Sequence, residues 1–212
     1  MRRPRADPEL DEYETDGLTI DRVGGFTDGV LAIAITLLVL QLGTSSAAGS
    51  LAERLRGEWP YFLSYVISFV NIGAIWLNHH KVTGRINRID HTFLILNLVV
   101  LLVVTFLPFP TRVISQELAT GGHADQRTAA LLYTGTFLVA SISFYALWRW
   151  AEWGGRLIKE GLPEQLNRVP TVRFGLVVPL FAIPCVLAFF SPLAAVIGDG
   201  VLMVTFLLSD AT

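Results

Sequence analysis

The chain has 212 residues, of which 52% are hydrophobic and only 16% charged, with a mean hydropathy of +0.54. Soluble domains carry about 25% charged residues, so this composition excludes an ordinary soluble enzyme and points to a polytopic membrane protein. The net charge of −2 gives no reason to expect nucleic acid or an anionic surface as a partner, and the single cysteine, Cys185, permits neither an intrachain disulfide nor a cysteine-built metal site.

The apolar blocks are solid rather than alternating, so they predict helices and not barrel strands. Residues 1–20 read as a polar cytoplasmic tail without the short apolar stretch of a cleaved signal peptide. Residues 21–209 then read as one all-α membrane domain of six transmembrane helices. The first span covers about Asp21 to Leu42 and the second about Trp59 to Asn78. The third, about His91 to Phe109, is expected to end at Pro108 and Pro110. The fourth covers about Thr128 to Trp150, with Trp148, Trp150 and Trp153 as an interfacial belt. The fifth, about Phe174 to Phe190, contains Pro179 and Pro184 and is expected to kink. A tight turn at Ser191-Pro192 leads into the sixth, about Leu193 to Leu208, where Asp199 between Gly198 and Gly200 reads as a turn residue.

Basic residues set the orientation. Arg2, Arg3, Arg5 and Arg22 precede the first span, Lys81, Arg85 and Arg88 follow the second, and Arg149, Arg156, Lys159, Arg168 and Arg173 follow the fourth. The opposite side holds only Arg54, Arg56, Arg112 and Arg127. Both termini are therefore expected in the cytoplasm. No connector is long enough for a catalytic domain, so no enzymatic activity is expected. The unusual first span has no second copy in the chain, as a homo-oligomer built around a central axis would require.

On a wheel of about 100° per residue with Ile33 at zero, Leu37 falls near about +40° and Leu40 near about −20°. Arg22, Phe26 and Gly29 lie on the same face, with Thr36 on its shoulder. If this stripe lines an axis, Ile33, Leu37 and Leu40 form hydrophobic rings with a hydroxyl ring at Thr36, a constriction that can gate by dewetting. An aliphatic stripe on a membrane helix is more often plain packing, and a threonine there commonly bonds a carbonyl one turn back. Asp28 falls near about −140°, facing its own subunit, where a buried charge needs partners. Candidates are Trp76, Asn78, His79 and His80 at the end of the second span, then Asn97 and Asp90 on the third. These predict a polar knot tying the first three helices together, with His79 and His80 capping their helix end.

The run R-x-x-x-F-T-D-G at 22–29, followed by A-I-A-I-T-L-L-V-L at 32–40, resembles the signature of the transmembrane protein 175 family in its bacterial branch. W-L-N-H-H at 76–80, N-L at 97–98 and F-L-P-F at 106–109 are similar too. Thr27 stands where the family pattern has serine and keeps the hydroxyl. The resemblance covers roughly residues 20–112. It implies a homotetrameric potassium channel of six-span subunits with the first helix lining the pore and no carbonyl filter. It implies constriction by Ile33, Leu37 and Leu40, with Thr36 one turn beyond the narrowest ring, and anchoring by Arg22, Phe26, Thr27 and Asp28. Potassium would be the permeant ion, with no cofactor. The partners would be other copies of the chain and the lipid bilayer of the cell membrane, without a further protein partner.

The main alternative is a small proton-coupled secondary transporter with Asp28, His79 and His80 as a protonatable relay, although no internal repeat is visible. A membrane metal hydrolase using His79 and His80 fits less well, because adjacent histidines diverge by about 100° on a helix and no H-E-x-x-H is present. A purely structural membrane protein is the remaining reading.

Overall fold

The computed structural model describes residues 19–42, 49–155, 157–159 and 164–208, without the side chains of 164–169. The tail expected at 1–20 lies almost wholly outside the described residues, as do Arg156 and the side chain of Arg168. Helix α1 (Ile20–Leu37) starts at the extended Thr19, whose Oγ1 accepts from the Arg22 N–H, and tightens into a 3₁₀ turn at Leu38–Gln41. Helix α2 (Leu51–Gly57) is short and opens on a reciprocal Ser50–Glu53 capping box. Helix α3 (Trp59–Thr83) follows with Pro60 in its first turn, where the missing N–H costs nothing. Asp90 caps α4 (His91–Phe106) by accepting from Phe93 N at 2.8 Å. Then come α5 (Pro108–Thr120), α6 (His123–Glu152), α7 (Glu164–Leu187) and α8 (Pro192–Leu208).

Five stretches are long and apolar enough to cross a bilayer: 20–41, 59–83, 91–120, 123–155 and 170–187. Helix α8 is the sixth apolar helix; its 17 residues span about 25 Å, slightly under the bilayer core. The protein is a multi-pass, all-α membrane protein.

Three expectations need correction. Pro108 and Pro110 do not end the third span. Leu107 keeps helical backbone angles, and the two prolines occupy the first turn of α5, where proline is tolerated. The chain therefore stays helical from His91 to Thr120. Asp199 is no turn residue but lies within α8, wholly buried. The flanking glycines serve packing instead: a Cβ on Gly200 would stand 3.0 Å from Ile67 Cγ1, so its absence lets α8 lie close against α3. The fifth span also starts earlier than expected, and α7 runs through Pro170, Pro179 and Pro184 without interruption. The Ser191 turn does form, with its Oγ accepting from Ala194 N at 3.3 Å.

Helix α6 is the hub. It packs against α4, α5, α7 and α8, and buries Tyr133, Phe137, Leu147 and Trp148. Helix α1 packs mainly on α3 and α4, with its 3₁₀ turn also touching α5. The loops after α3 and α6 are pinned by a two-stranded contact at Ile86 and Ile158, where Asn87 N donates to Leu157 O at 2.7 Å and Lys159 N to Arg85 O at 3.0 Å. Trp150 Nε1 adds a bond to Asp90 at 3.0 Å. This end of the bundle, the basic end, is therefore rigidly cross-connected below the foot of α1.

Candidate functional site

The two faces of α1 differ sharply. Val23, Thr27, Leu31, Ala34 and Leu38 are buried against α3 and α4. On the other side Phe26 is 57% exposed, Ile33 59%, Leu37 40% and Leu40 72%, with Arg22, Gly29 and Thr36 also exposed. The 3₁₀ turn sharpens this stripe. At three residues per turn, positions i and i+3 eclipse, which brings Leu40 over Leu37 instead of the roughly 60° offset of a continuous α-helix.

Thr36 Oγ1 donates to Ile33 O at 2.9 Å. The bond uses the hydroxyl proton and leaves the oxygen's accepting capacity unspent, so the ordinary threonine back-bond does not by itself remove Thr36 as an acceptor.

Behind the stripe lies a polar chain. Asn97 on α4 is its joint. Its Nδ2 donates to Thr27 Oγ1 at 2.9 Å, and its Oδ1 accepts from His79 Nε2 at 2.8 Å. Thr27, Asn97 and His79 are all buried, with His79 only 1% exposed. Beside it Trp76 Nε1 donates to Asp28 Oδ1 at 2.9 Å. Asp28 therefore bonds within its own subunit, away from the stripe, but it is exposed there and is not the buried charge expected.

Not every residue expected in this knot joins it. Asn78 donates to Ala74 O in its own helix at 2.8 Å and faces α6 and α8. The two histidines do not act as a pair. His79 turns inward to Asn97, while the His80 ring is exposed, tilted against Trp76 at 6.3 Å. Their divergence follows from the helical step between neighbours and gives them no shared metal pocket. Asp90 is occupied as a helix cap. Arg22 and Phe26 face outward with the stripe, so among the described residues they do not belong to the knot. Among the described residues, no three His, Cys, Asp or Glu side chains gather as metal ligands.

A second polar cluster was not anticipated. Ser68 Oγ bonds Thr111 Oγ1 at 2.8 Å and Tyr133 Oη at 2.9 Å, joining α3, α5 and α6. One turn away, Asn71 Nδ2 donates to Ile67 O at 2.9 Å and to Asp199 Oδ2 at 3.1 Å, joining α3 to α8. The missed signal was the spacing of Ser64, Ser68 and Asn71 at i, i+4 and i+7 in an otherwise apolar helix, which puts all three on one face.

The model of the family described as the endosomal/lysosomal potassium channel TMEM175 matches residues 22–108. A protein named potassium channel from Chamaesiphon minutus is 38% identical over 143 residues, covering 66% of this chain and 69% of that one. One of the same name from Streptomyces collinus is 36% identical, covering 73% and 75%. The cattle protein named endosomal/lysosomal proton channel TMEM175 is 32% identical over 74% of this chain, which spans 33% of it. The crystal structure of a lysosomal potassium-selective channel TMEM175 homolog from Chamaesiphon minutus superimposes with a TM-score of 0.82 at 32% identity, covering 91% of this chain and 98% of that chain.

Proposed function

The chain belongs to the TMEM175 channel family, and from that premise we propose that it conducts potassium passively through a pore lined by α1 of four identical subunits. The observation that carries this reading is the split of α1 into an anchored face and an open aliphatic face. A lone subunit leaves Phe26, Ile33, Leu37 and Leu40 uncovered, although the opposite face is fixed by paired polar groups. Fourfold closure turns Ile33, Leu37 and Leu40 into stacked rings and leaves Arg22 and Phe26 to contacts between subunits. A ring of aliphatic side chains offers no oxygen to replace an ion's hydration shell. Discrimination then rests on ring diameter and the Thr36 oxygens, so potassium selectivity is modest. The polar chain behind α1 holds the helix in place and takes no part in conduction. The distribution of basic residues supports cytoplasmic termini, and the resemblance to the family's bacterial branch supports a cell-membrane location.

The test is a planar-bilayer recording of the purified protein under bi-ionic potassium and sodium, beside a valinomycin-controlled vesicle flux assay. Discrete current steps with a reversal potential shifted toward potassium are expected. Replacing Ile33 with Asn wets the ring, so conductance should rise and selectivity fall. Unchanged currents in that variant would remove Ile33 from the constriction. Saturable, proton-driven flux without steps would replace the channel with a transporter. The animal relatives' name favours a second permeant ion, the proton; a reversal potential that follows an imposed pH gradient would establish it.

A further inference from the structure

Away from α1, helices α3, α6, α7 and α8 leave a narrow, half-open cleft in the basic half of the bundle. Its walls are apolar: Ile75 on α3, Phe144 on α6, Phe174 and Phe181 on α7, and Phe206 on α8. Asn78 is the polar exception; one of its two amide N–H groups is bonded to Ala74 O. Phe144 and Phe174 meet edge to face at 5.1 Å, and Trp148 backs Phe174 at 6.1 Å, which gives the cleft a stiff aromatic floor.

Three cations gather where the cleft meets the basic end. Arg173 directly precedes Phe174. Its guanidinium lies 4.0 Å over the Phe206 ring and donates to Phe206 O, so it is held at the rim. Lys81, one turn beyond Asn78, is within charge–charge reach of both Arg173 and Arg85, and Arg85 Nη1 donates to Lys81 O at 3.1 Å. The chain's net charge of −2 hides this local asymmetry.

An apolar slot with cations at one end, inside a bilayer, complements a molecule with a hydrocarbon chain and an anionic head. We propose that this cleft seats one acyl chain of an anionic phospholipid from the leaflet at the basic end, with its phosphate against Lys81, Arg85 and Arg173. Arginine matches phosphate oxygens with paired N–H donors, and lysine adds a point charge. Basic pockets between membrane helices select anionic headgroups on these terms. A zwitterionic lipid brings an ammonium to the same three cations and is disfavoured. The cleft shares no wall with the α1 stripe, so the inference stands apart from the pore reading.

The experiment uses delipidated full-length protein in detergent, titrated with dioleoyl-phosphatidylglycerol or dioleoyl-phosphatidylcholine. Native mass spectrometry counts retained lipid, and thermal unfolding reports the stabilisation. The glycerol lipid should be retained at least about tenfold more tightly than the choline lipid, given an attraction of a few charges. Lys81→Gln and Arg85→Gln should each weaken it by about fivefold without changing choline-lipid retention. Ser141→Phe, at a small half-buried position on the cleft wall, should fill the slot and reduce retention. Equal retention of the two lipids in the unmodified protein would overturn the proposal before any variant is made. So would a glycerol-lipid preference untouched by the glutamine variants or by Ser141→Phe. Full competition by inorganic phosphate would show a free-anion site and overturn the lipid assignment.

Discussion

The subunit contains two buried polar clusters that differ in completeness. At the foot of α1, Thr27, Asn97 and His79 form a linear chain in which the Asn97 amide uses both its ends, with Asp28–Trp76 alongside. Deep between α3, α5, α6 and α8, the Ser68–Thr111–Tyr133 hydroxyls are linked, but Asn71 Oδ1 and Asp199 Oδ1 are buried without a hydrogen-bond partner. The difference teaches where each helix gets its hold. Helices α5 and α8 each pack on both α3 and α6, and this broad apolar contact tolerates an incomplete cluster. Helix α1 packs mainly on α3 and α4, so polar bonds of defined geometry supplement a smaller apolar contact. That suits an element whose other face is left open.

The strongest way to break this comparison is Asn97→Leu. One substitution strands both the Thr27 hydroxyl and the His79 ring, and each stranded buried group costs about 1–3 kcal/mol. Loss of assembled protein and a large fall in thermal stability are expected by size exclusion and unfolding in detergent. The effect should exceed that of any single change in the α3–α8 cluster. A well-assembled Asn97→Leu protein with near-normal stability would mean that α1 is held by apolar packing alone.

The second probe is a pair of variants at Asp199. Asp199→Leu takes the acceptor from one N–H of Asn71 Nδ2 while the bond to Ile67 O remains, with an expected loss of about 1 kcal/mol. Asp199→Asn keeps an acceptor and adds an N–H donor to a site with two unpartnered oxygens, so it should be neutral or stabilising. If the asparagine variant unfolds as readily as the leucine variant, the carboxyl group itself is required and the cluster is not incomplete. Tyr133→Phe is comparable. It removes one hydroxyl from Ser68 but leaves the Ser68–Thr111 bond, an expected loss of about 1 kcal/mol. A double-mutant cycle with Ser68→Ala isolates that bond.

How much of this was legible follows the same division. Helical period grouped Ile33, Leu37 and Leu40 on one face of α1 and turned Asp28 from it, but it was the family resemblance that made the aliphatic face the open one. The partners of Asp28 could be narrowed to the end of the second span and the start of the third, since polar residues there share one depth. What the sequence could not show was which neighbour turned inward. Asn78, His79 and His80 are consecutive, and only His79 meets Asn97. Their side chains diverge by the helical step, and the rotation of α3 about its axis is set by packing with α5 and α8. Asp199 misled for a related reason. Glycines on both sides signal a turn locally, yet here they admit a neighbouring helix, and only the approach of Ile67 decides between the two. Pro108 misled because a proline that ends one helix can equally begin the next.

The smallest effect lies at an exposed counterpart to both clusters, the Ser50–Glu53 cap of α2. Glu53 Oε2 accepts from Ser50 N at 2.8 Å and from Ser50 Oγ at 2.9 Å, and Ser50 Oγ accepts from Glu53 N at 3.3 Å. These bonds favour the ionised form and hold the Glu53 carboxyl below its usual value, the backbone bond most of all. A depressed carboxyl adds stability above its unfolded pKa, about 4.3, and loses it as pH falls through the lower folded value. Protection of the Ser50 amide from hydrogen exchange should therefore be constant near neutrality and decline in acid, after correction for intrinsic exchange. Glu53→Gln retains the capping geometry without the charge, so its protection should be slightly lower and flat across the same range. Neither change should alter assembly, because water replaces these bonds at the surface but cannot reach Asn97. A Glu53→Gln protein that lost assembly as Asn97→Leu is expected to would abolish the distinction between buried and exposed polar pairs on which the comparison rests.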